Sequence, residues 1–254
     1  MSARTSRPSI PELRAVTQPA SIFARNSGEH WAGRLYVRRL SPYLTRRLIP
    51  TRLTPNAVTW LMIAVGVGAA ALIALDGVAT AGGAVILIQL QILLDCSDGE
   101  LARWCGRFSP IGIYLDRFGH YLTETLFPIA LGIRADEPVL GLVAAVLALG
   151  VRTESALVAV ARLESGRGKA DDSAAVAAPR MSALARLRAA VGFFPFFRAF
   201  VAMEFTLLVL AAAIVDAGAG DHDATRVLVI ALVPIAAVTA VGHLVAIVTS
   251  SRLR

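Results

Sequence analysis

Residues 57–95 read AVTWLMIAVGVGAAALIALDGVATAGGAVILIQLQILLD. Ala57–Leu75 carries no charge, Gly77–Leu94 carries none either, and only Asp76 separates them. A hydrocarbon core of about 30 Å is crossed by a helix of about 20 mostly apolar residues. In lipid a helix satisfies its own backbone N–H and C=O groups. Each run therefore reads as a spanning helix, with Asp76 at a tight turn between them. Four more runs follow. Phe118–Ile133 holds one acid, Glu124. Pro138–Val151 is apolar and continues past Arg152 and Glu154 to Ala161. Ala199–Val215 surrounds Glu204, and Val227–Ser250 is uncharged apart from His243. The fold expected is all-α and integral to the membrane, with six transmembrane helices.

Composition points the same way. Of 254 residues 56% are hydrophobic, against about 45–50% in soluble domains. Mean hydropathy is +0.64, yet the net charge is +7 and the pI about 10.4. A chain this apolar is not disordered. Two cysteines, Cys96 and Cys105, make no disulfide framework and are expected as thiols. A nucleic-acid binder would account for the charge but not for the apolar runs, so no nucleic-acid partner is expected.

Basic residues collect on the cytoplasmic side of a membrane protein. Residues 1–59 hold ten Arg and two acids. With Arg103, Arg107, the basic cluster Arg162–Arg198 and the C-terminal pair, 21 of the 25 basic residues fall on one side. The opposite loops hold Arg134 and Arg226 among six acids. Both termini are therefore expected in the cytoplasm. Met1–Ala20 is polar and does not read as a cleavable signal.

Three regions are expected: a flexible N-terminus over 1–27, an amphipathic juxtamembrane helix over 28–52, and the six-span domain over 53–254. In the second, Trp31, Leu35, Leu40, Leu44 and Leu48 recur at helical spacing between Arg34, Arg38, Arg39, Arg46 and Arg47. That pattern places a helix in the headgroup layer, apolar face down and Arg near anionic lipid. Gly166–Ala178 reads as a polar linker and Met181–Ala190 as a short basic helix. The aromatic cluster Phe193–Phe197 reads as an interfacial anchor.

The chemistry concentrates in LLDCSDGELARWCGRFSPIGIYLDRFGH, residues 93–120. Asp95 and Asp98 stand three apart, and Asp116 and His120 four apart, so each pair shares a helix face. Charged groups beside a membrane span are expensive and mark function. Oxygen-rich clusters suit hard cations such as Mg²⁺ or Mn²⁺, which also bridge phosphates. The small residues Gly99, Ala102 and Gly112 let a ligand approach the backbone, and Arg103 can hold a pyrophosphate in a fork. The plain alternative is a set of loop salt bridges, Asp95 or Asp98 with Arg103 and Asp116 with Arg117. It suits one Asp near a helix end better than three Asp, two Gly, Ala and Arg at fixed offsets. A transporter path, the other membrane reading, predicts charges at the midplane of several spans rather than a cluster at one face.

This segment resembles the signature of the CDP-alcohol phosphotransferases, D-x2-D-G-x2-A-R-x8-G-x3-D-x3-D. Asp95, Asp98, Gly99, Ala102, Arg103, Gly112 and Asp116 fall on it at the right spacing. Leu53-Thr54-Pro55-Asn56 and Thr59 resemble the family's approach to its first spanning helix. The resemblance implies transfer of a phospho-alcohol group, phosphatidyl in the leading reading, from a CDP-alcohol such as CDP-diacylglycerol to an acceptor alcohol, with release of CMP. It implies two divalent ions, Mg²⁺ or Mn²⁺, held by the motif's acids, and a homodimer among membrane lipids. Carried onto this chain, Asp95, Asp98, Asp116 and His120 would ligate metal. Asn56, Thr59, Gly99, Ala102, Arg103 and Gly112 would line the CDP-alcohol pocket.

One position departs, for His120 stands where the family has its last Asp. A histidine of ordinary pKa near 6.5 can act as base, and its neutral ring can ligate a metal. The cluster keeps three carboxylates rather than four, and imidazole is a poorer Mg²⁺ ligand than carboxylate, so the second site is expected to be weaker or to prefer Mn²⁺. Glu124, four residues further on, is a substitute base one turn deeper. Arg152, Arg162 and Arg198 are candidates to clamp a phosphorylated acceptor such as inositol phosphate or glycerol phosphate; lipid contact or side-chain pairing is the plain alternative for each. His243 reads as a packing residue, and His30 and His222 as exposed. A CDP-polyol donor and a non-catalytic scaffold of the same family are the competing functions.

Overall fold

A computed structural model describes residues 7–19, 33–166 and 202–249. Every regular element among them is a helix. The first is α1 (Ile10–Thr17). A π-helical turn (Gly33–Val37) then runs into α2 (Arg38–Leu48). Six long helices follow: α3 (Pro55–Ile73), α4 (Val78–Cys105), α5 (Pro110–Arg134), α6 (Pro138–Glu164), α7 (Ala202–Ala219) and α8 (Asp223–Thr249). By length and composition α3, α4, α6, α7 and α8 can each cross a membrane. At 25 residues α5 is about 37 Å long, enough to cross, but it bears Asp116, Arg117, His120 and Glu124. Apolar side chains face outward along these helices: Ile86, Val139 and Val238 are 69%, 70% and 69% exposed. The chain is an all-α, multi-pass integral membrane protein.

Two helix ends decide where the motif sits. The second apolar run reads as ending at Leu94, but α4 continues to Cys105 and carries Asp95 and Asp98 on regular helix. Gly106, with φ +64°, then closes α4, and the Arg107 N–H returns to the Ala102 carbonyl at 3.0 Å. Only glycine takes that backbone conformation without strain. α5 begins eight residues before the expected Phe118. Ser109 caps it, its hydroxyl accepting from the Gly112 N–H at 3.1 Å, and Pro110 fills the first position. The acid–His pair is thereby on helix too.

The chain divides into two compact units. The first comprises Met1–Ala69 and Ile86–Thr123. Its core joins Leu13, Ile49, Val58, Met62, Ile63, Leu94, Leu101 and Trp104. Leu13 belongs to α1, so an ordered helix with a fully buried leucine lies inside the segment read as loosely ordered. Ser9 caps that helix, accepting from the Glu12 N–H at 3.3 Å. Along the π-helical turn and α2 the reading of the faces also changes. Leu35 and Leu40 are exposed, as a lipid-facing stripe would be, whereas the buried stripe is Val37, Ser41 and Thr45. α5 packs closely in this unit: a Cβ on Gly119 would stand 2.7 Å from Met62 and Ile63 side-chain atoms.

The second unit comprises Ala70–Val85 and Glu124–Arg254. Here α5 and α6 meet backbone to backbone. A Cβ on Gly141 would fall 2.5 Å from the Pro128 carbonyl and 2.8 Å from the Gly132 Cα. Arg134 donates to the carbonyls of Leu75 (2.6 Å) and Gly77 (3.0 Å), fastening the turn between α3 and α4. Asp216 on α7 accepts from the backbone N–H groups of Ala224 (2.8 Å) and Thr225 (3.2 Å), which start α8. The polar linker beyond Gly166, the short basic helix at Met181–Ala190, the anchor at Phe193–Phe197 and Arg198 lie outside the described residues.

Candidate metal and nucleotide site

Each acidic pair owes its geometry to its helix. Asp95 and Asp98 project from α4, and Asp116 and His120 from α5. The four-residue link between those helices folds them back within the first unit. His120 Nε2 then lies 3.1 Å from Asp95 Oδ1 and 3.5 Å from Asp116 Oδ1. One potential ligand atom from each of Asp95, Asp116 and His120 falls within 4.8 Å of the other two. Two carboxylates and an imidazole so placed fit a divalent cation. Their side chains are 30%, 46% and 42% exposed, so a ligand can reach them.

Asp98 is placed differently. It is buried, and the Thr59 hydroxyl donates to its Oδ2 at 2.7 Å. It stands within the electrostatic field of both Asp95 and Asp116. Three of the four candidate ligands thus come together, while the Asp98 carboxylate is bonded to Thr59 of α3.

The remaining candidates form the surroundings. Asn56, at the start of α3, donates to Ser109 Oγ at 3.4 Å. A Cβ on Gly112 would stand 2.9 Å from Asn56 Oδ1, so only glycine leaves this contact intact. Arg103 folds back along α4: a Cβ on Gly99 would lie 3.2 and 3.3 Å from its two terminal nitrogens. Its Nε donates to the Thr17 carbonyl at 2.6 Å. Ala102 is half-buried on the same turn.

Arg152 and Arg162 belong to the second unit. There Arg152 pairs with Glu124 through two hydrogen bonds, so Glu124 serves an ion pair. Arg162 is half-buried in the last turn of α6. His243 Nδ1 meets Glu154 at 2.7 Å, in keeping with a packing role, and His222 is exposed. Cys96 and Cys105 form no disulfide.

The sequence reading missed Glu100, Gln18, Ser41 and Thr45. Glu100 is fully buried and accepts from the other three. A signal existed: Ser41 and Thr45 stand four apart in line with Val37, on a helix read for its leucines and arginines.

The sequence model of the CDP-alcohol phosphatidyltransferase family matches residues 52–250. The chain belongs to this family. The match includes every sequence-predicted site residue from Asn56 to Arg198, while α1 and α2 precede it. Among curated relatives, the archaetidylinositol phosphate synthase of Aeropyrum pernix is 31% identical over 108 residues. That alignment covers 40% of this chain, and the chain spans about half (55%) of the relative's length.

Proposed function

We propose that the protein transfers a substituted phosphate group, phosphatidyl or a close lipid analogue, from a CDP-alcohol to an acceptor alcohol in phospholipid synthesis, releasing CMP. The observation that carries this reading is the convergence of Asp95, Asp116 and His120 within 4.8 Å, beside a Thr59-held Asp98. A divalent cation seated there, Mg²⁺ or Mn²⁺, would neutralise the diphosphate and the departing phosphate charge. Asp95, Asp98 and Asp116 would hold it, with two ions as the family resemblance implies.

The chain's own groups supply the rest. Asn56, Thr59, Gly99, Ala102, Arg103 and Gly112 bind and orient the cytidine diphosphate. His120 accepts the acceptor's hydroxyl proton at Nε2, the nitrogen facing the cluster. The acceptor oxygen bonds to the phosphorus bearing the donor alcohol, and the bond from that phosphorus to the CMP oxygen breaks. CMP leaves with the electron pair as a phosphate anion, so no strong general acid is required. One nitrogen cannot ligate a cation and take a proton in the same step, and the base role is assigned to His120. The relative's name supports a phosphorylated polyol such as inositol phosphate as acceptor, with Arg162 and Arg198 toward its phosphate. The charge asymmetry supports a cytoplasmic active site and cytoplasmic termini, and the resemblance supports a homodimer.

The test is CMP release by purified protein, offered CDP-diacylglycerol or CDP-polyols with a panel of acceptors and Mg²⁺ or Mn²⁺. Turnover is expected with a lipid donor, and Asp98→Asn should abolish it. A second reading, a non-catalytic scaffold, is favoured by one observation, His120 in the last acid position. Silence of the unaltered protein with every pair, together with turnover by His120→Asp, would establish that reading instead.

A further inference from the structure

Glu100 lies between the motif residues Gly99 and Ala102, yet its carboxylate is bonded to the N-terminal helical segments. It is 0% exposed. Its Oε1 accepts from Gln18 Nε2 at 2.8 Å and Ser41 Oγ at 2.5 Å, and its Oε2 from Thr45 Oγ1 at 2.7 Å. These donors come from two separate segments, the end of α1 and the inner face of α2. Gln18 also donates to the Arg38 carbonyl at 2.9 Å, tying those segments to each other. A buried carboxylate is tolerated only when its lone pairs are occupied, and here three donors occupy them. One residue before Gln18, the Thr17 carbonyl accepts the Arg103 Nε–H at 2.6 Å. That bond fixes the plane of the guanidinium, whose two terminal nitrogens lie over Gly99.

We infer that Glu100 is a positioning residue for nucleotide binding: it bolts α1 and α2 to α4, so that the Thr17 carbonyl aims Arg103 at the donor's diphosphate. The N-terminal helices, which precede the family-matched region, are on this account part of the binding site. The diphosphate as target rests on the proposed function above; the bolt itself does not.

The experiment uses the purified full-length chain. CDP affinity is measured by calorimetry, and Mn²⁺ affinity without nucleotide by electron paramagnetic resonance. Glu100→Ala should weaken CDP binding about tenfold while Mn²⁺ affinity stays within about twofold. Glu100→Gln keeps one oxygen for Ser41 and Gln18 and should stay within about threefold of the unaltered protein. Added to Arg103→Ala, Glu100→Ala should cost little more, because both remove the same contact. Unchanged CDP affinity in Glu100→Ala, a parallel loss of Mn²⁺ binding, or full additivity with Arg103→Ala overturns the inference. Should Glu100→Ala fail to fold, Thr45→Val removes a single donor and must weaken CDP about threefold; no change there overturns the inference equally. Failure of the unaltered protein to bind CDP would sink the transferase reading and this inference together, whereas normal CDP binding in both forms sinks the inference alone.

Discussion

Thr59, on α3, donates a side-chain hydrogen bond to Asp98. Groups that orient metal ligands typically govern affinity or activity about 10–100-fold when removed. Thr59→Val, nearly the same shape without the hydroxyl, should therefore lower CMP release by about that factor; kinetics at saturating Mn²⁺ check it. His120 raises a different question at the same scale. A base must be unprotonated to act, and a carboxylate loses its proton at lower pH than an imidazole, so His120→Asp should move the acidic limb of the rate profile to lower pH, read from CMP release across pH at saturating Mn²⁺. The motif acids were legible in the sequence because three- and four-residue spacing fixes a helix face. Glu100 was not, because a charged residue surrounded by charges gives no sign of which donors will cover it.

Among elements, the α5–α6 contact is the least forgiving. The atoms facing a Cβ on Gly141 are backbone, Pro128 O and Gly132 Cα, and no rotamer change can relieve them. Overpacking of this kind costs about 1–3 kcal/mol. Gly141→Ala should lower the melting temperature by several degrees (about 2–4 °C per kcal/mol) in a detergent-based thermal scan, leaving Mn²⁺ affinity unchanged. The apolar runs located α3, α6, α7 and α8 to within a few residues, whereas α4 and α5 run eleven and eight residues beyond theirs. Their polar ends escaped, since hydropathy falls at Leu94 while the backbone hydrogen bonds of α4 continue to Cys105. α1 escaped for a related reason: Leu13 and Thr17, four apart, make a stripe too short to register among polar neighbours.

For the whole molecule, the asymmetry of basic residues predicts one orientation. Reporter fusions at either terminus should be active in the cytoplasm, and a reporter inserted near Asp221, between α7 and α8, should report the opposite side. A reversed pattern would move the active site across the membrane and away from cytoplasmic nucleotide. The apolar runs were readable as long helices, five of which are long and apolar enough to cross a membrane. The division into two compact units was not, because α3, α4 and α5 each contribute to both, and nothing in a continuous apolar run marks where its packing partners change.

The link between α4 and α5 has a practical consequence for anyone building chimaeras. Gly106 closes one helix and Ser109 opens the next, so little slack is left between them to absorb a change of length. An insertion of a single residue that fed into α5 would swing Asp116 and His120 by about 100° around its axis. A grafted α5 will therefore bring its chemistry along only if the donor's own corner, glycine to serine, is transplanted in the same piece.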